Sequence, residues 1–432
     1  MRRTIRALTA AVGLVAFLTL ASPALGTPTV CPSGCLTTSI QAAITAATPG
    51  ATITIGPGNY YENVKVNKSV TLRGSGVRTV IYPATSNPVC AGGSLCGGTA
   101  SNIILVEANN VTITNLRLEG ANPNLTGGVL VGGAEINARN GIITNHEAGV
   151  YNNLTVSAVK VSDVYLRGIY ASSGGTFDFT RDTVENVQGE EASIAMFDFG
   201  GSGEMTKNKV THANDAISAN WSKGTKFLDN VITKSGSGVH TDNNGGSGGV
   251  ADVIEGNTVR ECNSNGYGVF VFVPYVSATV KANKVSGCSV GLAAFGGAVS
   301  GEGPTFAGNT VNGTGASTTG STYGAYFTTD QLGYAFGNLT VNLTGNTLAH
   351  FDTGLLVTQT SPTAGQPAGG QATVSASSNS IIADGTGANG EPGTVVNAQN
   401  NWWGCSRGPN MGAPCTTALG TAAYTPWLTS RP

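Results

Sequence analysis

The sequence predicts an all-β solenoid, a right-handed parallel β-helix whose short strand-and-turn rungs stack along one axis. The first observation is a repeat in which an Asn, any residue and an aliphatic residue recur every 22 to 37 positions. The second is a Gly and an aliphatic residue eight positions after several of these Asn residues, as at Gly238, Gly291 and Gly354. The repeating Asn residues are Asn208, Asn230, Asn257, Asn283, Asn309, Asn346 and Asn379.

Fainter copies extend the repeat toward the N-terminus, and its two elements mark two parallel strands in each turn. One rung is too thin to bury an apolar face, whereas rungs stacked at the strand spacing of about 4.8 Å make a continuous core. Equivalent Asn side chains one rung apart are placed to hydrogen-bond as a ladder. The six-residue repeat of left-handed β-helices is absent. The fainter copies begin at Asn115, Asn140, Asp163 and Asp182, with Gly149 and Gly168 as second elements.

The composition fits a turn-rich β protein and excludes several partner classes. Glycine supplies 62 of 432 residues, about twice its usual share. Only 11% of residues are charged, which argues against nucleic acid, because phosphate backbones need clustered Lys and Arg. Disorder would require less hydrophobicity and more charge.

The N-terminus reads as a secretory signal peptide. Arg2, Arg3 and Arg6 precede an apolar run over 8–20, and small residues follow up to Gly26, near which cleavage is predicted. Loss of these arginines changes the formal net charge from −2 to −5, since 1–26 contains no acid. The apolar run is too short for a typical membrane-spanning helix. A secreted protein that is not integral to a membrane is therefore predicted.

The mature chain divides into an N-terminal cap over 27–50, a β-helix over 51–399 and a C-terminal cap over 400–432. A capping box from Thr38 to Gln41 opens a short helix, which Pro49 ends. At the other end Trp402 and Trp403 supply bulky side chains to cover the last rung. The helix presents Ile40, Ala43, Ile44 and Ala47 on one face.

The eight cysteines all follow the predicted cleavage site, which suits an oxidising compartment. Cys262 and Cys288 each lie five residues after a repeating Asn, so both belong to one column on adjacent rungs. The pairs lack common zinc-ligand spacings, and no metal or cofactor is predicted. The predicted disulfides are Cys31–Cys35, Cys90–Cys96, Cys262–Cys288 and Cys405–Cys415.

Two segments resemble pectin-lyase-like right-handed β-helix proteins. The stretch 39–76, with Pro-Gly-Asn-Tyr-Tyr-Glu-Asn at 57–63, is similar to their N-terminal start. The Asn-Trp-Trp-Gly string at 401–404 looks like the terminal segment of many secreted bacterial members. The resemblance implies the fold rather than one reaction, because this superfamily includes lyases, hydrolases, esterases, epimerases and non-catalytic surface proteins.

No complete catalytic motif of these enzyme classes occurs in the chain. The acidic strings of polygalacturonases, the Asp-Pro-His-Glu string of alginate epimerases and the catalytic strings of pectin methylesterases are missing. The four His residues are scattered along the sequence, which argues against a copper-handling role. Whether the protein is an enzyme stays open; a polysaccharide lyase or glycoside hydrolase is the predicted class if it is one.

An outward stripe of aromatic and polar residues follows from aligning the Gly-aliphatic elements. Aliphatic residues such as Val150 and Val239 are assigned to the core, and the residues after them to an outward face. Sugar rings pack well on such faces; the alternative is ordinary packing between rungs. The predicted substrate-binding residues are Tyr151, Tyr170, Phe270, Phe272, Tyr326, Asn243 and Asp215.

His240 and Asp242 lie on one side of a single strand and are the predicted acid/base pair; the alternative is a solvated polar pair. Asp215, Asn220 and Asn243 are the nearest predicted helpers. One hypothesis is a secreted protein that binds or processes a polysaccharide or cell-surface glycan along this face. The other is a non-catalytic extracellular structural or adhesion protein.

Overall fold

A computed structural model describes nine ranges of the chain. The signal-peptide prediction at 1–26 and Asn243 lie outside them. The described ranges are 29–242, 250–263, 266–272, 277–296, 303–315, 321–329, 338–359, 370–383 and 385–432.

Three long parallel sheets run along the described chain, and successive strands visit them in turn. Each full rung therefore has three strands: the two that the repeat marks and a third that it does not mark. The Asn element of the repeat belongs to a sheet of 12 strands and the Gly element to a sheet of 13. The third sheet has 15 strands and carries neither element. The outward residues of its strands vary in chemistry from rung to rung, as Thr155, Asp178, Glu204 and Lys226 do.

The strands have the following bounds, in spatial order along each sheet. The 15-stranded sheet contains Thr29–Val30, Thr52–Ile55, Thr71–Arg73, Thr112–Thr114, Leu154–Ser157, Thr176–Thr180, Ser202–Thr206, Lys226–Leu228, Val253–Glu255, Thr279–Lys281, Thr305–Ala307, Leu339–Thr344, Ala372–Ser377, Val395–Asn397 and Ala422–Ala423. The 12-stranded sheet contains Gly58–Tyr61, Thr79–Tyr82, Arg117–Glu119, Lys160–Ser162, Thr183–Val187, Lys209–Ala213, Val231–Thr233, Thr258–Arg260, Lys284–Ser286, Thr310–Asn312, Thr347–Ala349 and Ser380–Ile382. The 13-stranded sheet contains Val64–Val66, Asn102–Val106, Asn140–Thr144, Arg167–Ala171, Ile194–Phe199, Asp215–Asn220, Ser237–Asp242, Tyr267–Phe272, Val290–Phe295, Tyr323–Thr328, Thr353–Thr358, Thr386–Gly390 and Thr417–Gly420. An antiparallel hairpin pairs Val129–Val131 with Ala134–Ile136.

The Asn ladder predicted from the repeat is present and buried. The backbone N–H of Asn257 and its Nδ2 both donate to Oδ1 of Asn283, at 2.9 and 3.0 Å. The next rungs repeat this pattern to Asn401. Toward the N-terminus Asp182 takes the position of an Asn, and its backbone N–H donates to Asn208 Oδ1 at 2.8 Å. The ladder thereby satisfies polar groups that every turn would otherwise bury unpaired.

Glycine in the 13-stranded sheet marks a close approach between rungs. A Cβ on Gly168 would lie 2.3 Å from the carbonyl oxygen of Ala195 and 2.6 Å from Val184. Gly141 has the same surroundings, whereas a Cβ on Gly149 would meet nothing within 4 Å. Gly141 is therefore the residue that aligns with Gly168. Choosing Gly149 misplaced Val150, which is 51% exposed instead of lying in the core.

The α-helix Ile40–Ala46 begins one residue later than the capping-box prediction. Ser39, not Thr38, is its N-cap and accepts a hydrogen bond from Ala42 N–H. The Glu62 carboxylate also accepts from the N–H groups of Ile40 and Gln41, at 2.8 and 2.9 Å. The apolar face packs in the main core as predicted. Its members there are Ile40, Ala43, Ile44 and Ala47.

The C-terminal segment returns to the core through Trp403, which is fully buried, while Trp402 is partly exposed and pairs with Ser380. All four predicted disulfides are present and join the predicted partners. In the described ranges, no helix has the length and hydrophobicity needed to cross a membrane.

Candidate functional site

The predicted stripe lies on the outward face of the 13-stranded sheet. Its register places one residue of each strand in a single column, because the strands pair in parallel without a shift over this region. His240 occupies the middle of the column. From the N-terminal side the column reads Ile143, Tyr170, Phe197, Ser218, His240, Phe270, Ala293 and Tyr326.

His240 pairs with Asp215 from the preceding rung. Its Nδ1 lies 3.2 Å from Asp215 Oδ2 and 3.1 Å from Ser218 Oγ. The Ser237 hydroxyl donates to the other oxygen of Asp215. The side chains of His240 and Asp215 are 14% and 18% exposed, so the pair is sheltered and still reachable. Asp215 was predicted among the substrate contacts, and the structure makes it the carboxylate partner of the imidazole.

Asp242, the carboxylate predicted to partner His240, makes a different contact. Its Oδ1 accepts a hydrogen bond from the backbone N–H of Trp221 at 2.6 Å. The Asp242 carbonyl accepts from Ser222 N–H at 3.0 Å. Asp242 thus holds the turn that carries Trp221. The pairing with His240 was assigned from strand alternation alone, which cannot rank a neighbour on the same strand against one on the adjacent rung.

Aromatic rings surround His240 on its C-terminal side. The imidazole stacks on Phe270, with centroids 4.3 Å apart and planes 12° from parallel. Phe272 meets it edge-on at 6.1 Å. Beyond these rings, Phe295 joins Phe270 to Tyr326 at centroid distances of 6.0 and 5.9 Å. Two rings that the sequence alignment missed, Tyr267 and Tyr323, flank this group.

The N-terminal side of the column is more enclosed. Tyr170 and Phe197 stack at 4.6 Å but are only 6% and 4% exposed. The guanidinium of Arg167 lies over both rings, 5.6 and 4.9 Å from their centroids. Burial lowers the pKa of Arg167 to about 10, so it remains charged at neutral pH. Tyr170 is therefore held beneath Arg167, and the expectation that it forms an exposed stacking platform was wrong.

Two exposed rings on this side were missed by the sequence alignment. Phe199 and Trp221 stack at 6.3 Å and are 38% and 50% exposed. Phe199 lies two residues after Phe197 on the same strand, so alternation could have found it. Trp221 comes directly after a strand, in a turn, where the alignment of Gly-aliphatic elements has no counterpart.

A pocket of ≈ 390 Å³ opens beside Phe199 and Asp215, over the strands Arg167–Ala171, Ile194–Phe199 and Asp215–Asn220. Its polar groups include Arg167, Asp215 and Asn220, and its apolar walls include Phe197 and Phe199. Apolar walls with a few convergent polar groups are the usual composition of a small-molecule or saccharide site.

Beneath the outward face, two buried acids anchor the neighbouring turns. Thr225 Oγ1 donates to Asp198 Oδ2 at 2.9 Å, and Thr241 Oγ1 donates to Asp252 Oδ2 at 2.6 Å. Ser222 Oγ bonds the other oxygen of Asp252 at 2.6 Å. Burial raises the pKa of Asp198 to about 8 and raises that of Asp252 as well. These acids point inward and serve the scaffold of the site.

The structure does not bring every predicted residue to this face. Tyr151 lies outside the strand, and Ile143 occupies the position assigned to it in the column. Phe270, Phe272 and Tyr326 are placed together with His240. Among the described residues, no group of three or more His, Cys, Asp or Glu side chains is arranged to hold a metal ion.

Comparison with known proteins agrees with the architecture. Residues 140–311 match the family model described as the right handed beta helix region. The protein is a right-handed parallel β-helix. The pectin-lyase-like resemblance inferred from its sequence is confirmed at the level of fold. No curated protein sequence matches the chain.

Three solved structures illustrate the likeness. The A-module of a mannuronan C-5 epimerase from Azotobacter vinelandii is 16% identical, with 90% of this chain and 94% of that chain covered and a TM-score of 0.46. DFA-IIIase from Arthrobacter chlorophenolicus A6 is 13% identical, with 93% and 96% covered and a TM-score of 0.45. A periplasmic alginate epimerase is 10% identical, with 85% and 78% covered and a TM-score of 0.43.

Proposed function

We propose that the protein binds a polysaccharide along the outward face of the 13-stranded sheet and that His240, paired with Asp215, moves a proton on that ligand. One observation carries the proposal. Aromatic rings flank a sheltered His–Asp pair on both sides of a single column. An ordinary solvent-exposed strand would carry neither these rings nor an imidazole that contacts a carboxylate of the preceding rung.

The rings suit a long, flat ligand. Sugars offer apolar C–H faces that pack on aromatic faces, with hydroxyls left for polar neighbours. From Ile194–Phe199 to Tyr323–Thr328 the sheet crosses six strands, a span of about 24 Å at the usual strand spacing. That length suits an extended oligosaccharide better than a single small metabolite.

The His–Asp geometry supports proton transfer. Asp215 accepts at Nδ1, which favours the tautomer with the proton on Nδ1 and leaves Nε2 basic. A group that can both give and take a proton is what hydrolysis or elimination at a glycosidic bond requires. Arg167 lines the same pocket as Asp215 and supplies a positive charge there.

Export from the cell belongs to the same proposal. Four disulfides tie the described chain, and such bonds persist in oxidising compartments. The sequence of the first 26 residues supports a signal peptide that would deliver the protein there.

A glycan array with the purified mature protein tests the binding step. Trp221→Ala and Phe270→Ala should each weaken the best glycan by about 3–10-fold, the equivalent of one aromatic contact. Tyr61→Ala is the matched control, because Tyr61 is an exposed ring stacked on Tyr82 in the 12-stranded sheet. Equal losses in all three variants, or no bound glycan, would refute binding at this face.

Reducing-sugar and ultraviolet unsaturation assays on the bound glycan test the proton-transfer step. His240→Gln should lower turnover by about 100-fold or more while leaving affinity nearly unchanged, and Asp215→Asn should lower turnover to a similar extent. Turnover that survives His240→Gln would remove the acid/base role and leave a binding protein.

A further inference from the structure

We infer that the site takes the end of a polysaccharide chain in the pocket beside Arg167, and that the rest of the chain runs toward the C-terminal rungs. The inference rests on the proposed function and adds which part of the ligand is recognised. It follows from a wall that closes one end of the outward face.

The wall is the segment 83–101, which connects the strands Thr79–Tyr82 and Asn102–Val106. From this segment Leu95 projects onto the outward face of the 13-stranded sheet. It is buried in one cluster with Ile143, Tyr170 and Phe197 from three successive strands. The wall therefore lies over the N-terminal part of the column, and Arg167 covers the rings of Tyr170 and Phe197 that follow.

Buried polar side chains hold the wall in place from below. Arg139 donates from Nη1 to the carbonyl of Pro88 at 2.8 Å and from Nη2 to the carbonyl of Gly93 at 3.0 Å. Asn140 Nδ2 donates to the carbonyl of Ser94 at 2.7 Å. The Cys90–Cys96 disulfide closes the same segment. A charged guanidinium buried on loop carbonyls is a strong anchor, since releasing it would leave the charge unpaired.

The pocket lies over the strands Arg167–Ala171, Ile194–Phe199 and Asp215–Asn220, next to the strand that carries His240. Phe197, at the edge of the wall, is two strands before His240 in the column, a distance of about 10 Å. Only a short terminal stretch of a glycan fits there. On the other side of His240 the rings of Phe270, Phe295 and Tyr326 continue over three further strands.

This asymmetry distinguishes chain ends from chain interiors. An internal sugar placed at His240 must continue in both directions along the column, and one direction meets Leu95 and the rings beneath it. A terminal sugar carries a hydroxyl where an internal sugar carries its next neighbour. Arg167, Asp215 and Asn220 supply donors and acceptors in the pocket for such a hydroxyl.

Hexamers carrying a bulky fluorophore at one end test the inference with the unaltered protein. We would measure binding of galacturonate, mannuronate and glucose hexamers by calorimetry, each unlabelled, labelled at the reducing end and labelled at the non-reducing end. For a hexamer that binds unlabelled, one label should be tolerated and the other should weaken binding about tenfold or more. Equal tolerance of both labels, or equal exclusion of both, would overturn chain-end recognition.

A second experiment fills the pocket with a large side chain. Ala192 is an exposed residue of the pocket lining, so Ala192→Trp should reproduce the loss caused by the excluded label. Val231→Trp, on the 12-stranded sheet, is the matched control and should bind as the unaltered protein does; circular dichroism confirms folding of both. Undiminished binding by Ala192→Trp would place the chain end elsewhere. Failure of every unlabelled hexamer and of the glycan array would instead refute the proposed function and the inference with it.

Discussion

Asp182 is the residue at which the Asn ladder changes chemistry. Its Oδ1 accepts from the backbone N–H of Val159 at 2.9 Å, but Oδ2 is buried without a hydrogen-bond partner in the described chain. Burial raises the pKa of this carboxyl to about 8. The folded protein therefore keeps a proton on Asp182 at pH values where the unfolded chain has released it.

Asp182→Asn should raise the free energy of unfolding by about 1–3 kcal/mol at pH 9, because an amide supplies a donor and carries no charge. The sign follows from linkage. A raised folded-state pKa gives stability that is present below pH ~4 and is lost as the pH rises through about 8. Urea unfolding at pH 5, 7 and 9 would measure a gain that grows with pH. The reverse substitution Asn208→Asp, in the next rung, should destabilise; a gain in both variants would contradict the argument.

Tyr170 and Trp221 show why exposure matters for testing the site. Tyr170→Ala should cost about 3–5 kcal/mol of stability, since it empties a buried space beneath Arg167. Trp221→Ala should change stability by only about 0.5 kcal/mol, because half of the ring is already in solvent. Chemical denaturation of the two variants gives the comparison. Similar costs for both would mean that the two rings share one environment.

The sequence located the centre of the candidate site but not all of its partners. His240, Phe270 and Tyr326 could be found because each lies two residues after a Gly. The next rung approaches that Gly too closely to leave room for a side chain. Asp215 was recognised as near, yet its bond to His240 depends on side-chain rotamers and on Ser218, which no spacing reveals. Tyr151 was misplaced because Gly149 has the right neighbours in sequence and an open environment in space.

Among the structural elements, the strands that could be recognised from the sequence are those beside a turn with a buried polar residue. The Asn turns are constrained by hydrogen bonds on both sides, so the same residue recurs, and the ladder could be predicted. The 15-stranded sheet has no such constraint. Only its inward positions must be apolar, as Phe179, Met205 and Phe227 are. Its outward positions accept many residue types, and its strands were therefore missed.

The Cys262–Cys288 bond joins equivalent positions on two adjacent rungs, 26 residues apart. Replacing both residues by Ser should lower the free energy of unfolding by about 2–4 kcal/mol, because the unfolded chain regains the freedom of a long loop. The matched control is the Cys31–Cys35 pair, only four residues apart, whose loss should cost less. Denaturation midpoints of the two double variants would decide the matter. An equal or larger effect at Cys31–Cys35 would contradict the loop-length argument.

For the whole molecule, several buried acids favour the protonated state. Asp182 and Asp198 have pKa values raised to about 8, and the pKa of Asp252 is raised by the same burial. The folded state thus holds more protons than the unfolded state near neutral pH. The stability contributed by Asp182 and Asp198 is lost as the pH rises through about 8.

The thermal midpoint should therefore fall between pH 7 and pH 9, and Asp198→Asn should flatten the decrease. Differential scanning calorimetry across this range is the measurement, with Glu204→Gln as a control, because Glu204 is exposed and paired with Lys226. A midpoint that rises with pH, or a slope unaffected by Asp198→Asn, would be inconsistent with buried protonated acids.

The disulfide between successive rungs also changes how the chain is connected. The path from Cys262 through one turn of the solenoid to Cys288 and back across the sulfurs is a closed covalent hoop around the core. The strand Tyr267–Phe272, which carries the ring stacked on His240, is part of this hoop. A protease that nicks the backbone between the two cysteines would leave both halves of the protein attached. Damage at this rung would then open a strand of the face without separating the molecule.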